Sequence, residues 1–311
     1  MLLETFKNFS DFQLLDSGDG YRLERWAEVV LQRPDPQIIW KRSLPQEVWD
    51  TAWAIFKSPS GDEKGRWDIT KPMPKSWVVQ FQDIKLALKL SPFKHTGLFA
   101  EQAANWEWML EKLQIPDLGP QNEADAKSKI QNHQSKILNL FAYTGGATMV
   151  LAKAGCQVTH VDASKPAITW ANENHVLNQL PKNSVRWILD DCVKFAKREL
   201  KRGVTYDGII MDPPAFGHTP TGGTWKFNQD LPGLLADCVD LLSPNAKFLI
   251  INGYATNSSA LALNNILEDA IGSKFGTKEF GELCLRHDKD GTDEKNQRML
   301  STGIFARWQN M

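Results

Sequence analysis

Lys136-Ile137-Leu138-Asn139-Leu140-Phe141-Ala142-Tyr143-Thr144-Gly145-Gly146-Ala147-Thr148 decides the fold. A short, mostly apolar run bounded by a turn reads as a buried strand. It leads straight into two adjacent glycines, and a helical pattern follows from Thr148 to Ala154. Glycines at a strand-to-helix turn let backbone come close to a ligand with no Cβ in the way. The helix behind them offers unpaired N–H groups, a natural seat for an electron-rich ligand.

The same rhythm continues toward the C-terminus. Strands are predicted at Gln157–Val161, Val185–Leu189, Tyr206–Met211 and Lys247–Asn252. Helices are predicted between and after them at Lys165–Leu177, Val193–Lys201, Leu231–Leu242 and Ser258–Ala270. Such alternation builds right-handed βαβ units around a parallel sheet, so the class is α/β and Rossmann-like. The tail departs from it: Lys274–Leu283 and Ser301–Trp308 read as two strands joined by a polar loop alone.

Toward the N-terminus the pattern changes. Residues 1–95 hold short strand-like runs, such as Ser76–Phe81 and Ile84–Leu88, broken by turn signals such as Arg33-Pro34-Asp35-Pro36. They predict a small β-rich domain with a helix near Pro45–Phe56. Residues 96–134 read as a connector, an amphipathic helix over Phe99–Leu113 followed by a polar loop with Pro116, Gly119 and Pro120. Residues 135–311 form the α/β domain.

Composition narrows the class further. Of 311 residues, 42% are hydrophobic and 23% charged, values ordinary for a globular protein. No apolar run is long enough to span a bilayer, and no basic-then-apolar leader opens the chain, so a cytoplasmic location is expected. Net charge is −1, which argues against a broad basic field for coating nucleic acid while leaving a local patch open. The four cysteines have no C-x-x-C spacing, so neither a disulfide framework nor a metal site is expected.

Ligands of doubly wound sheets bind at the carboxyl ends of the strands, so those ends carry the candidate site. After the first strand comes Phe141 to Gly146. After the second comes Val161-Asp162-Ala163-Ser164. An acid there suits ribose hydroxyls, in nicotinamide dinucleotides and S-adenosylmethionine alike. An Asp in this place also caps helices, a role for which Ala163-Ser164 compete. After the third strand comes Asp190-Asp191-Cys192, where a carboxylate accepts from an adenine amine; Asp191 is preferred to Asp190. After the fourth comes Met211-Asp212-Pro213-Pro214-Ala215-Phe216. Two prolines stiffen this segment and remove its donors. The carbonyls of Asp212 and Pro213 then serve as acceptors, and Phe216 stacks on a planar substrate.

Together Asn139–Thr148, Asp162, Asn174-His175-Val176-Leu177-Asn178, Asp191 and Asp212–Phe216 resemble class I S-adenosylmethionine-dependent methyltransferases. More narrowly they resemble the large-subunit ribosomal RNA methyltransferases, typified by a 23S 5-methylcytosine enzyme. The resemblance runs over roughly residues 95–311 and includes Gly97-Leu98-Phe99-Ala100-Glu101-Gln102. It implies a seven-stranded methyltransferase sheet with an antiparallel last strand, in keeping with the tail. It implies S-adenosylmethionine as cofactor and no metal. Phe141, Ala142, Thr144, Gly145 and Gly146 would wrap the methionine part. Asp162, with Ala163 and Ser164, would hold the ribose, and Asp191 with Cys192 the adenine. Phe99, Gln102, Asn174 and Asp212 would complete the cofactor site. Asp212, Pro213, Pro214 and Phe216 would face the methyl acceptor as the catalytic group.

One departure bears on substrate. Methylation of cytosine at C5 requires a cysteine that first adds to the ring. The stretch after the fifth strand, Ile251-Asn252-Gly253-Tyr254-Ala255-Thr256-Asn257-Ser258, contains none. A base of RNA, ribosomal RNA above all, is the favoured acceptor. A protein or small-molecule acceptor, a nicotinamide-dependent oxidoreductase and a non-catalytic cofactor-binding module are the alternatives. Oligomeric state is left open.

Overall fold

The computed structural model describes residues 1–58, 64–115, 118, 135–218, 223–287 and 298–310. From residue 116 on, all of the polar connector expected up to residue 134 except Leu118 lies outside these residues. The chain divides into two compact units. One comprises Met1–Glu4, Ala104–Leu283 and Thr302–Met311; the other comprises Thr5–Ala103 and Cys284–Ser301.

Strand β1 (Leu2–Glu4) belongs to the first unit. The second unit begins with β2 (Phe12–Gly18), β3 (Tyr21–Trp26) and β4 (Val29–Pro34). Helix α1 (Gln46–Trp49), β5 (Ala54–Lys57) and β6 (Arg66–Ile69) follow. The five strands form one sheet in the order β2-β3-β4-β5-β6, with β7 (Trp77–Phe81) and β8 (Ile84–Leu88) as a separate antiparallel pair. The helix expected near Pro45–Phe56 is four residues long. Ala54-Ile55-Phe56 instead joins the sheet beside β4, where a β-branched and an aromatic side chain fit a pleated surface. Trp26, Trp49, Phe56 and Phe81 fill the interior of this unit. Asp16 is buried too, and five donors, the Trp49 indole among them, hold its carboxyl below the usual range against the pull of burial.

The first unit carries helix α2 (Ala103–Lys112) and then the alternating elements. These are β9 (Lys136–Leu140), α3 (Gly146–Lys153), β10 (Gln157–Asp162), α4 (Lys165–Leu177), β11 (Val185–Leu189) and α5 (Cys192–Lys201). Next come β12 (Gly208–Met211), β13 (Phe216–His218), β14 (Thr224–Lys226) and α6 (Phe227–Asp240). The chain ends with β15 (Phe248–Gly253), α7 (Ala260–Ile271), β16 (Thr277–Arg286) and β17 (Met299–Gln309).

The large sheet has the order β1-β16-β17-β15-β12-β9-β10-β11. Strands β9, β10, β11, β12 and β15 are parallel, and β17 runs antiparallel to β15. This is the sheet with an antiparallel last strand, extended by one: β1 pairs in parallel with the edge of β16. A three-residue strand that pairs far along the chain leaves no local periodicity to read. Leu138, Leu140, Ile209, Met211, Leu249 and Ile251 pack with α5, α6 and α7 to form the core. Central strands covered on both faces read as near-continuous apolar runs, which is why KILNL, GIIM and FLIING were legible.

Candidate active site

Strand order reverses at β9, whose neighbours are β10 on one side and β12 on the other. In open α/β sheets, ligands bind outside the carboxyl ends of the strands at such a switch point. Phe141–Gly146 leaves β9 there and Asp212–Phe216 leaves β12. The second segment starts against the end of β9, where the Asp212 N–H donates to the Leu140 carbonyl at 3.3 Å.

The loop after β9 is held from below by its neighbours. Phe141 and Tyr143 both sit at positive φ (55° and 51°), a conformation side chains adopt only under constraint. The Tyr143 N–H donates to Asp162 Oδ2 at 2.8 Å, and Asn174 Nδ2 donates to the Thr144 carbonyl at 2.9 Å. The Phe141 N–H lies 3.3 Å from the Cys192 sulfur. Gly145 caps α3 at φ 85°, where a Cβ would meet the Ala171 methyl at 3.1 Å. Here glycine is needed both for the backbone turn and for the close approach.

Asp162 ends β10. Its second oxygen accepts the Ser164 N–H at 2.8 Å, and Ser164 in turn caps α4. Burial pushes the Asp162 carboxyl up, and its two N–H donors oppose that shift. Each carboxylate oxygen keeps a second lone pair, so the two together suit a vicinal diol. Asp191 is buried and caps α5 through the Lys194 N–H at 3.0 Å, while Cys192 opens that helix.

A second polar layer lies under the loop and was not read from the sequence. Asn139 Nδ2 donates to Thr148 Oγ1 at 3.0 Å, and Thr148 Oγ1 lies 2.9 Å from His160 Nδ1. A hydroxyl oxygen can donate one hydrogen bond and accept two, so Thr148 links Asn139 to His160 in either histidine tautomer. His160 is fully buried, and burial pushes its pKa down to about 3 against the effect of the Tyr143 backbone. It stays neutral under ordinary conditions. The available signal was strand alternation, which puts His160 on the same face as Asp162.

The segment after β12 is anchored differently. Trp225 Nε1 donates to the Pro214 carbonyl at 2.7 Å, and the Phe227 N–H donates to the Ala215 carbonyl at 3.1 Å. Trp225 is buried and its ring meets Phe141 with centroids 5.1 Å apart. Phe216 is 56% exposed and opens the β13–β14 hairpin, a small element that the sequence reading passed over. Phe99 and Gln102 lie in the other unit, Phe99 tilted against His95 at 4.8 Å and Gln102 in a short 3-10 turn.

All four cysteines are buried, and burial pushes the thiols of Cys156 (to about 12), Cys192 and Cys238 up. Such thiols are poor nucleophiles. Among the described residues no cluster of His, Cys, Asp and Glu could hold a metal ion. No described helix is long and apolar enough to cross a membrane.

Comparison with known proteins agrees with this geometry. A family model described as S-adenosylmethionine-dependent methyltransferase matches residues 124–278. The solved structure of a SAM-dependent methyltransferase from Agrobacterium tumefaciens is 36% identical, with a TM-score of 0.89, over 100% of this chain and 94% of that one. The ribosomal RNA large subunit methyltransferase K/L of Pseudoalteromonas atlantica is 29% identical over 215 residues, 68% of this chain but 27% of that protein. The ribosomal RNA large subunit methyltransferase I of Salmonella enteritidis is 26% identical over 274 residues, 86% of this chain and 60% of that protein. The chain thus spans about a quarter of the first of these curated relatives and 60% of the second. The glycine turn at the β9 switch point, the acid ending β10 and the full-length likeness to the Agrobacterium protein lead to one assignment: this chain belongs to the S-adenosylmethionine-dependent methyltransferase family.

Proposed function

We propose that the protein transfers a methyl group from S-adenosylmethionine to a base of RNA, with ribosomal RNA as the favoured substrate. The observation that carries this reading is the pairing of two different loops at one switch point. One is a glycine turn backed by an acid; the other is a rigid Asp-Pro-Pro segment ending in an exposed aromatic.

The residues fit the cofactor. Phe141, Ala142, Thr144, Gly145 and Gly146 would wrap its methionine part, close to backbone that carries no Cβ at Gly145. Asp162 would accept from the ribose hydroxyls, supported by Ala163 and Ser164. Asp191 and the N-terminus of α5 at Cys192 would meet the adenine, and Asn174 fixes the loop through Thr144. When bound, the cofactor supplies an electrophilic methyl group on a sulfonium.

What remains for the chain is alignment of acceptor, methyl and sulfur, which could supply up to about 7–11 kcal/mol. The Asp212 carboxylate and the Pro213 carbonyl would hold the N–H groups of an exocyclic amine, orienting its lone pair toward the methyl carbon. Phe216 would stack on the ring, worth roughly 1–3 kcal/mol. An amine acceptor must shed a proton once it carries the methyl group, and the Asp212 carboxylate would take it. The buried cysteines favour such a nitrogen over cytosine C5, which would require a reactive thiolate. A cytoplasmic location is in keeping with an RNA acceptor of this kind. Incubation of the protein with labelled S-adenosylmethionine and unmodified large-subunit ribosomal RNA should give label in one nucleoside carrying an N-methyl group. No transfer to RNA, with binding of the cofactor intact, would move the acceptor to a protein or small molecule.

A further inference from the structure

Four carbonyls follow one another from Asp212 to Ala215 with few donors among them, because two of the four residues are proline. Such a run has no intrinsic reason to choose which oxygens face a substrate. Two of the four are committed inside the protein. Trp225 Nε1 takes the Pro214 oxygen at 2.7 Å and the Phe227 N–H takes the Ala215 oxygen at 3.1 Å. The Asp212 N–H is tied to Leu140 at the other end. Trp225 faces Gly217 across the hairpin, and its ring packs on Phe141, the positive-φ residue that opens the glycine loop. Trp225 thus touches both the acceptor-facing segment and the cofactor loop.

We propose that Trp225 is a positioning residue: its indole N–H fixes the Asp212–Phe216 segment through the Pro214 carbonyl, while its ring sets that segment against Phe141. This rests on the reading of Asp212–Phe216 as the acceptor side. Turning the Pro214 carbonyl inward fixes the course of the chain on which Asp212 and Pro213 meet a base. Transfer tolerates little error in the approach of the acceptor, so a segment released at Pro214 lowers turnover without touching the cofactor site.

Two variants test it. Trp225→Phe keeps an aromatic ring against Phe141 and deletes the donor. Replacement of Trp225 by benzothienylalanine keeps the shape of indole with sulfur in place of N–H, and so guards against a misfolded Phe variant. Three readouts are taken on the full chain: the Kd of S-adenosylhomocysteine by calorimetry, hydrogen exchange of the amides from Ala215 to Gly217, and transfer to large-subunit ribosomal RNA. In both variants Kd should stay within about threefold of wild type and exchange should quicken about tenfold or more. In both, kcat should fall about 10- to 100-fold with the KM for S-adenosylmethionine unchanged. Unchanged exchange in the isosteric variant would overturn the proposal, and so would a Kd that rises in step with the loss of kcat. If wild-type protein transfers no label to RNA, the reading of the acceptor fails, and exchange together with Kd still decides the role of Trp225.

Discussion

The two loops that meet at the switch point are made rigid in opposite ways. Phe141–Gly146 is held by polar side chains from three other elements: Asp162 on β10, Asn174 on α4 and Cys192 on α5. A second layer of Asn139, Thr148 and His160 lies beneath. Asp212–Phe216 is stiff because its own sequence contains two prolines, and it has one aromatic clamp. The first loop is over-determined and tolerates positive φ at non-glycine residues; the second is determined locally and keeps an exposed ring. A site that must recognise one invariant cofactor suits the first construction. A site that must admit a large acceptor suits the second.

If the division is real, mutations on the two sides separate binding from turnover. Asp212→Ala gives the largest effect: transfer falls by about 10²–10⁴-fold, the range for loss of a positioned proton acceptor. Calorimetry with S-adenosylhomocysteine should show affinity close to wild type. A parallel loss of affinity would merge the two sides into one. Asp162→Ala comes next and acts on the other side. Loss of hydrogen bonds to a charged group, about 1.5–3 kcal/mol, raises the Kd for S-adenosylhomocysteine by about 10- to 100-fold. Saturating cofactor should restore most of the turnover; a kcat that stays low would place Asp162 at the chemistry instead.

Gly145→Ala sharpens the comparison at lower amplitude. The new Cβ adds about 1–2 kcal/mol of backbone strain at positive φ and presses on the Ala171 methyl, 3.1 Å away. Gly203 has a similar φ of 66° with nothing within 4 Å of its Cβ position. Both substitutions should lower the melting temperature by roughly 2–6 °C. Only Gly145→Ala should also weaken cofactor binding, because only there does the backbone approach the proposed ligand. Equal affinities in the two variants would remove the glycine turn from the site.

The unequal construction also explains what could be read in advance. The β9, β12 and β15 strands and the residues at their ends were visible because both faces of these strands are buried, and a turn follows each. Asp212–Phe216 was the clearest signal since its rigidity is written in its own residues. The support under Phe141–Gly146 was not visible. His160, Thr148 and Asn139 come from three elements, and nothing in their local sequence marks them as one chain of hydrogen bonds. The β13–β14 hairpin escaped because its strands are three residues each. Strand β1 escaped because its partner lies at the far end of the chain. The expected helix after Pro45 failed when Ala54–Lys57 found a neighbour in β4, a tertiary pairing that overrides local propensity.

The smallest expected effect is also the one that tests the over-determined side by itself. Burial raises the Asp162 carboxyl above the ordinary 3.8, with the Tyr143 and Ser164 N–H groups pulling the other way. The sign follows from proton counting. Between the ordinary value and the raised one, the folded protein holds this proton and the unfolded chain has released it. Stability of the unliganded protein therefore falls as pH rises through that window and is level above it. Cofactor binding moves oppositely. Ribose hydroxyls donate, so they favour the ionised carboxylate, and affinity for S-adenosylhomocysteine rises with pH by at most about tenfold per unit until ionisation is complete. The two slopes have one origin and opposite signs. Asp162→Asn retains an acceptor oxygen yet cannot ionise, so it should flatten both curves above the ordinary carboxylate value, as followed by melting temperature and calorimetry. A pH dependence of binding that survives in Asp162→Asn would mean that another group titrates with the ligand, and Asp162 would lose its place at the ribose.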